Sequence, residues 1–126
     1  MPRTIASQAP YASASLAVGG GTVSGSFLPI NYGVSINLKI TNGATGPTAA
    51  ALAIVEVADD AAGTNAGEVF RAPQGDLAAN AVNLWPYSLA PFGGGGDWSH
   101  YRVRFVAPTG QAVTVAAQAS TTTAIT

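Results

Sequence analysis

Two stretches of this chain alternate between apolar and polar residues, and a period of two is the pattern of a β-strand with one buried face. In residues 32–41 the apolar positions are Val34, Ile36, Leu38 and Ile40. Residues 98–106 repeat the alternation. No segment keeps a 3.6-residue period over three turns. The sequence therefore predicts an all-β fold with little or no helix.

Shorter apolar runs between turn residues predict the remaining strands, at residues 22–28, 52–57, 68–72, 81–85 and 112–117. Pro86 is expected to end the run at 81–85, because proline cannot donate to a sheet ladder. Residues 86–96, with Pro91 and four consecutive glycines at 93–96, predict a long flexible connection. Seven or eight short strands at this spacing are typical of an antiparallel two-sheet sandwich, either jelly-roll or immunoglobulin-like.

The strand alternation also predicts which residues fill the core between the two sheets. The expected core residues are Val34, Ile36, Leu38, Ile40, Tyr101, Val103, Phe105, Val113 and Val115.

A length of 126 residues fits one domain, and we expect the β-sandwich to span residues 16–119. Residues 1–15 and 120–126 are small, polar and unpatterned. They are predicted to form an extended N-terminal arm and a flexible C-terminal tail. Because the arm has little apolar surface of its own, we expect it to become ordered only against a neighbouring protein.

Charged residues make up 9% of the chain, whereas an average soluble domain has about 25%. The solvent-facing side must then consist largely of Ser, Thr, Asn, Gln, Gly and Ala, which suits packing against copies of the chain or a partner. The net charge of −1 argues against binding to nucleic acid or an anionic membrane. The longest apolar run, residues 49–55, is far shorter than the roughly 20 residues that cross a bilayer. No secretory signal is expected at the N-terminus.

Catalytic patterns are weak in this chain. Ser99 and His100 are adjacent, but neighbours on a strand point to opposite faces, so we expect them not to share a hydrogen bond. The glycines at 19–21 and 93–96 lack the Lys-Ser/Thr pair of a phosphate-binding loop. The chain has no cysteine for a disulfide or thiolate site. We therefore expect no catalytic residue and no cofactor, and a protein that is not an enzyme.

One acidic segment offers hard oxygen ligands. Asp59, Asp60, Asn65 and Glu68 lie on a predicted loop or at its end and could bind calcium. Their spacing matches no EF-hand, so a solvated acidic loop without a metal is the favoured interpretation.

The densest cationic cluster lies on one face of the predicted strand at 98–106. Its Trp and Arg residues are types enriched at protein interfaces. Alternatively, Trp98 folds back into the core while Arg102 and Arg104 are ordinary solvated charges. The candidate partner-binding residues are Tyr11, Trp98, His100, Arg102 and Arg104.

Four strand-turn segments carry a family resemblance: residues 38–47 (LKITNGATGP), 55–57 (VEV), 101–105 (YRVRF) and 109–115 (TGQAVTV). Across residues 22–118 the chain resembles small β-sandwich virion proteins of tailed bacteriophages, most closely head decoration or cement proteins.

The resemblance implies a homo-oligomer that binds the major capsid protein on the outer capsid surface and is made in the bacterial host cytoplasm. The chain departs from the resemblance in its loops at 58–67 and 86–96, which are longer and richer in Ala and Gly than a minimal sandwich needs. These two loops are expected to be contact elements.

Two other functions remain open. The first is a tail or tail-fibre module of the same fold. The second is a carbohydrate-binding module, in which Trp85, Tyr87 and Trp98 would form an exposed stacking platform for sugar rings.

Overall fold

The computed structural model describes residues 3–90 and 98–125, which form nine β-strands and no helix. A helix able to cross a membrane is accordingly not found in these residues. The prediction of an all-β fold is confirmed. The strands are β1 (Arg3–Leu16), β2 (Thr22–Ser24), β3 (Leu28–Pro29), β4 (Val34–Asn42), β5 (Leu52–Ala58), β6 (Gly67–Pro73), β7 (Val82–Leu89), β8 (His100–Val106) and β9 (Val113–Ile125).

The strands pair as a nested antiparallel ribbon. β1 pairs with β9, β2 with β8, β4 with β7 and β5 with β6. The short strand β3 also pairs with β8, next to β2. Rolling this ribbon gives sheet A, in the order β1-β9-β4-β7, and sheet B, in the order β2-β8-β5-β6 with β3 beside β8. Of the two predicted sandwich forms, this arrangement is the jelly roll.

The core lies between the sheets and follows the alternation in the sequence. Along β4 the burial pattern switches at almost every residue, and along β8 Tyr101, Val103 and Phe105 are completely buried. Every predicted core residue is buried, so the predicted core is confirmed. β5 is different because both of its faces are covered: Val55 points into the core, and Ile54, on the opposite face, is also completely buried.

The two chain ends are strands of the sheet. The predicted arm, residues 1–15, and the predicted tail, residues 120–126, correspond in their described parts to β1 and the end of β9. Their pairing register runs from Arg3 opposite Ile125 to Leu16 opposite Val113, with three register shifts. Treating these segments as a free arm and a flexible tail is therefore wrong. A pairing between distant segments leaves no local pattern, which explains the error.

Pro86 does not end β7, contrary to expectation. β7 continues to Leu89, and Pro86 lies opposite Asn37 of β4. The strand tolerates proline because it is at the edge of sheet A, where only one neighbour needs its hydrogen-bonding groups. The predicted flexible connection lies in part outside the described residues, since residues 91–97 are not among them.

Candidate functional site

The predicted cationic face of β8 lies on the outer surface of sheet B, but its arginines are paired. Arg102 Nε donates a 2.7 Å hydrogen bond to Glu56 Oε1 on the neighbouring strand β5. Arg104 Nε lies 3.8 Å from the same oxygen, and Arg104 Nη2 lies 3.9 Å from Glu68 Oε1. Arg71 of β6 also pairs with Glu68, so three arginines share two glutamates and the face is an ion-pair network with a small net positive charge.

This network is half-buried. The Arg102 side chain is 28% exposed and that of Glu56 only 11%. Phe27, from the segment between β2 and β3, covers part of the network, with its ring centroid 4.6 Å from the Arg102 guanidinium carbon. That distance is within cation–π range. The sequence pattern of β8 placed the arginines on the correct face but gave no sign of Phe27, which comes from another part of the chain.

The outer end of the network is an exposed ion pair on β6. Arg71 Nε and Nη2 donate to Glu68 at 2.9–3.2 Å. The Arg71 hydrogen bonds hold the pKa of Glu68 below its ordinary value of 4.5. An exposed pair of this kind contributes little to stability.

Two other candidate interface residues pack inward. Tyr11 lies edge-to-face against Phe105, with ring centroids 5.6 Å apart. Trp98 packs against the core cluster, and its indole Nε1 is buried without a hydrogen-bond partner among the described residues. Both rings therefore contribute to the sandwich interior, which was the alternative interpretation for Trp98.

Ser99 and His100 do share a contact, so the expectation that they cannot is wrong. Ser99 Oγ lies 2.7 Å from His100 Nδ1. The alternation rule fails here because Ser99 lies just before β8, which begins at His100. Ser99 also donates a 2.6 Å hydrogen bond to the carbonyl oxygen of Asp59. A carbonyl can only accept, so the single hydroxyl proton is used there and Ser99 Oγ is the acceptor toward His100. The arrangement closes a turn and does not activate a nucleophile.

The acidic loop after β5 uses its carboxylates to hold its own shape. Asp60 Oδ1 accepts hydrogen bonds from the backbone nitrogens of Ala62 and Thr64, each at 3.0 Å. The bond from the Thr64 backbone is the main cause that lowers the pKa of Asp60 below 3.8. Asp59 accepts a 2.7 Å bond from Asn65. Within residues 3–90 and 98–125, no three His, Cys, Asp or Glu side chains form a metal-binding group.

The aromatic residues proposed for sugar stacking do not form an exposed platform. Trp85 and Tyr87 occupy inward positions of β7 and, like Trp98, are partly buried against the core. Tyr87 packs on Phe70 of β6 with ring centroids 4.8 Å apart. The carbohydrate-binding hypothesis therefore loses the feature on which it depended.

The outer face of sheet A is a second candidate surface, and sequence reasoning did not single it out. Its alternation was visible in the sequence, but the participation of β1 and the end of β9 was not. We call this surface the A-face. Its positions carry hydroxyl, amide and apolar side chains, and Lys39 is the one charged residue among them. The A-face consists of Ile5, Ser7, Ala9, Ser13, Ser15, Ser35, Asn37, Lys39, Thr41, Val82, Leu84, Pro86, Ser88, Thr114, Ala116, Gln118, Ser120 and Thr122.

The A-face has exposed apolar side chains and recesses. Val82 and Leu84, neighbouring outward positions on β7, are 56% and 57% exposed. A recess of about 500 Å³ lies between β1 and β4 over β9, and its lining includes Ser7, Asn37 and Ser120. A second recess, of about 400 Å³, extends from β7 to β1. Contiguous exposed apolar surface beside recesses is a property of interaction sites.

Comparison with known proteins identifies similar folds only. No protein-family model matches the chain, and no curated protein gives a significant match. The VP2 subviral particle protein of infectious bursal disease virus is similar, with a TM-score of 0.57 and 14% identity over 94% of this chain. The protein of T=1 particles derived from the same virus gives a TM-score of 0.55 and 12% identity over 95% of this chain. This chain spans 32% of each of those chains.

A third similar structure is that of Bacillus endospore appendages, described as disulfide-linked pili. It has a TM-score of 0.50 and 9% identity, and the match covers 98% of this chain and 93% of that one. Identities at this level show a common fold and nothing further. This chain thus has a jelly-roll fold that is also found in viral capsid proteins and in a pilus protein.

Proposed function

We propose that this protein is a non-enzymatic structural component of a virus particle, and that it binds the major capsid shell as a decoration or cement protein. The observation that carries the proposal is the A-face, a broad sheet surface on which Lys39 is the one charged residue among the described side chains. Protein interfaces are depleted in charged residues at their centre. The jelly-roll fold, found also in viral capsid proteins, and the resemblance to phage virion proteins support a place in the particle.

The mechanism of such a protein is mechanical. Each copy buries a limited area, but a shell repeats its binding sites by symmetry, so many modest contacts act together. An oligomer of the chain would contact several capsid subunits at once. The partners proposed are therefore the major capsid protein and other copies of this chain, at the outer capsid surface, after synthesis in the bacterial host cytoplasm.

The first test is the number of copies in purified particles, measured by mass spectrometry with isotope-labelled standard peptides and expressed per major capsid protein. A ratio fixed by the shell symmetry supports decoration. A few copies per particle would indicate that the protein lies in the tail and not on the shell. Absence from the particles would overturn the proposal.

A second test is rebinding to particles that lack the protein after deletion of its gene. The purified chain is expected to bind these particles to saturation and to raise the temperature at which they release nucleic acid. Particles that already carry the protein serve as the control and should bind little more. Failure to rebind, with a correctly folded chain, would contradict a cement function.

A further inference from the structure

We propose that the A-face is covered by a second copy of this chain, packed face to face about a two-fold axis. The inference rests on the proposed function and deepens it: the A-face is assigned to the contact between copies, and the resulting dimer contacts the shell through its other surfaces. Three observations carry it: the protected sheet edges, the size of the face and its shape. The position of Lys39 supplies a test.

The strand edges are unsuited to pairing with another copy. β7 has Pro86 in its middle, and β1 has Pro10 together with register shifts against β9. β6 ends at Pro73 and has a register shift against β5. β2 and β3 are three and two residues long. Prolines, bulges and short strands block edge-to-edge association of sheets. A second copy of this chain is therefore expected to pack on a sheet face and not along a strand edge.

The A-face is large enough for a stable contact. Four strands at about 4.8 Å spacing give a width of about 19 Å, and a nine-residue strand such as β4 is about 30 Å long. The projected area is therefore roughly 600 Å², and side-chain relief brings the accessible area toward the roughly 800 Å² that each partner buries in a standard interface.

The shape of the face is complementary to itself. Val82 and Leu84 form an exposed apolar ridge along β7, and the larger recess lies on the other side of β4, where Ser7 and Ser120 leave space. In a two-fold dimer each contact is made twice. The ridge of one copy then enters the recess of the other, and the reverse contact forms at the same time.

This geometry places Lys39 near the axis. Lys39 is on β4, which separates the ridge on β7 from β9 under the recess. An axis that exchanges ridge and recess passes over β4, so the two copies of Lys39 face each other. Because like charges repel, Lys39 should weaken the dimer. If the A-face instead binds a partner that supplies a carboxylate, Lys39 should strengthen that contact.

The first experiment compares two matched variants by sedimentation equilibrium. Val82→Asp introduces a charge on the ridge, and Val18→Asp makes the same change at an exposed position in the turn after β1, which is not one of the A-face residues. Circular dichroism and thermal unfolding establish that both are folded. The wild type and Val18→Asp are expected to dimerise, and Val82→Asp to be monomeric. A monomeric wild type, or equal dimerisation of all three, would overturn the inference.

The second experiment tests the axis through Lys39. Lys39→Met is expected to tighten the dimer by about fivefold, the size of one like-charge contact in water. When wild type is mixed with mass-tagged Lys39→Glu, native mass spectrometry should show heterodimers above the random-mixing fraction. A weaker dimer in Lys39→Met, or random mixing, excludes the proposed axis. A monomeric chain that still occupies the particle would overturn this inference alone, whereas a dimer absent from the particle would overturn the proposed function alone.

Discussion

The hydroxyl of Tyr101, on the interior strand β8 of sheet B, donates a 2.6 Å hydrogen bond to Oε1 of Gln8 on β1, the edge strand of sheet A. Tyr101 is completely buried. The bond joins the two sheets. Through it, the N-terminal strand β1 supplies the hydrogen-bond partner of a polar group in the core. A buried hydroxyl without a partner would destabilise the fold.

Gln8→Ala should therefore lower the free energy of unfolding by about 1–3 kcal/mol, because it leaves the Tyr101 hydroxyl unpaired. Urea denaturation measures the change. The control is the same substitution in a Tyr101→Phe background, where no hydroxyl remains and the cost should be smaller. Equal costs in both backgrounds would show that this hydrogen bond contributes nothing.

Gly25 allows β1 to pass close to the link between β2 and β3. A Cβ atom at this position would overlap the carbonyl oxygen of Pro10, which is backbone and cannot move aside alone. Gly25→Ala should therefore reduce the melting temperature. Gly43→Ala is the matched control, because a Cβ there would meet no atom within 4 Å. Equal melting temperatures for the two variants would exclude this close packing.

The pH dependence of stability should show a loss in strong base. Burial raises the pKa of Tyr101 above its ordinary value of 10.0. Between the unfolded and the folded pKa, the unfolded chain loses the phenolic proton while the folded chain keeps it. The contribution of Tyr101 is thus fully present below about pH 10 and is lost as the pH rises further. Tyr101→Phe should flatten the decline in unfolding free energy above that pH, and an unchanged slope would refute the assignment.

The sequence contained the information for the core strands and not for the pairing of the ends. Val34 to Ile40 alternate because each inward position must be apolar, so β4 could be predicted from periodicity alone. Residues 4–15 have mostly exposed side chains, and β1 has three register shifts, which remove any regular alternation. Their position is set by hydrogen bonds to β9 and by a few contacts such as that of Tyr11 with Phe105, which lie far apart in the sequence.

The candidate surfaces could likewise be predicted from the sequence only in part. Periodicity correctly placed Arg102 and Arg104 on the outer face of β8. It could not reveal that Glu56 lies across from Arg102, because that depends on the register between β5 and β8. The A-face could not be predicted either, because the sequence pattern indicates free chain ends for one of its four strands, β1, and for the end of a second, β9.

The two arginines on β8 should differ in effect when each is changed to Gln. Arg102 pairs closely with Glu56, whose side chain is 11% exposed, so Arg102→Gln removes the cation that donates a hydrogen bond to a nearly buried carboxylate. The expected loss of stability is about 1–3 kcal/mol. Arg104 lies 3.8 Å from Glu56, beyond ordinary hydrogen-bond range, so Arg104→Gln should cost less.

Urea denaturation separates the two variants, and Glu56→Gln combined with Arg102→Gln is the control, because it removes both charges and should recover part of the loss. The same proteins can be added to particles that lack the chain. If the outer face of sheet B contacts the shell, Arg104→Gln should reduce occupancy more than its small effect on stability explains. Full occupancy by a folded Arg104→Gln variant would remove this arginine from the candidate interface and leave the network a purely structural role.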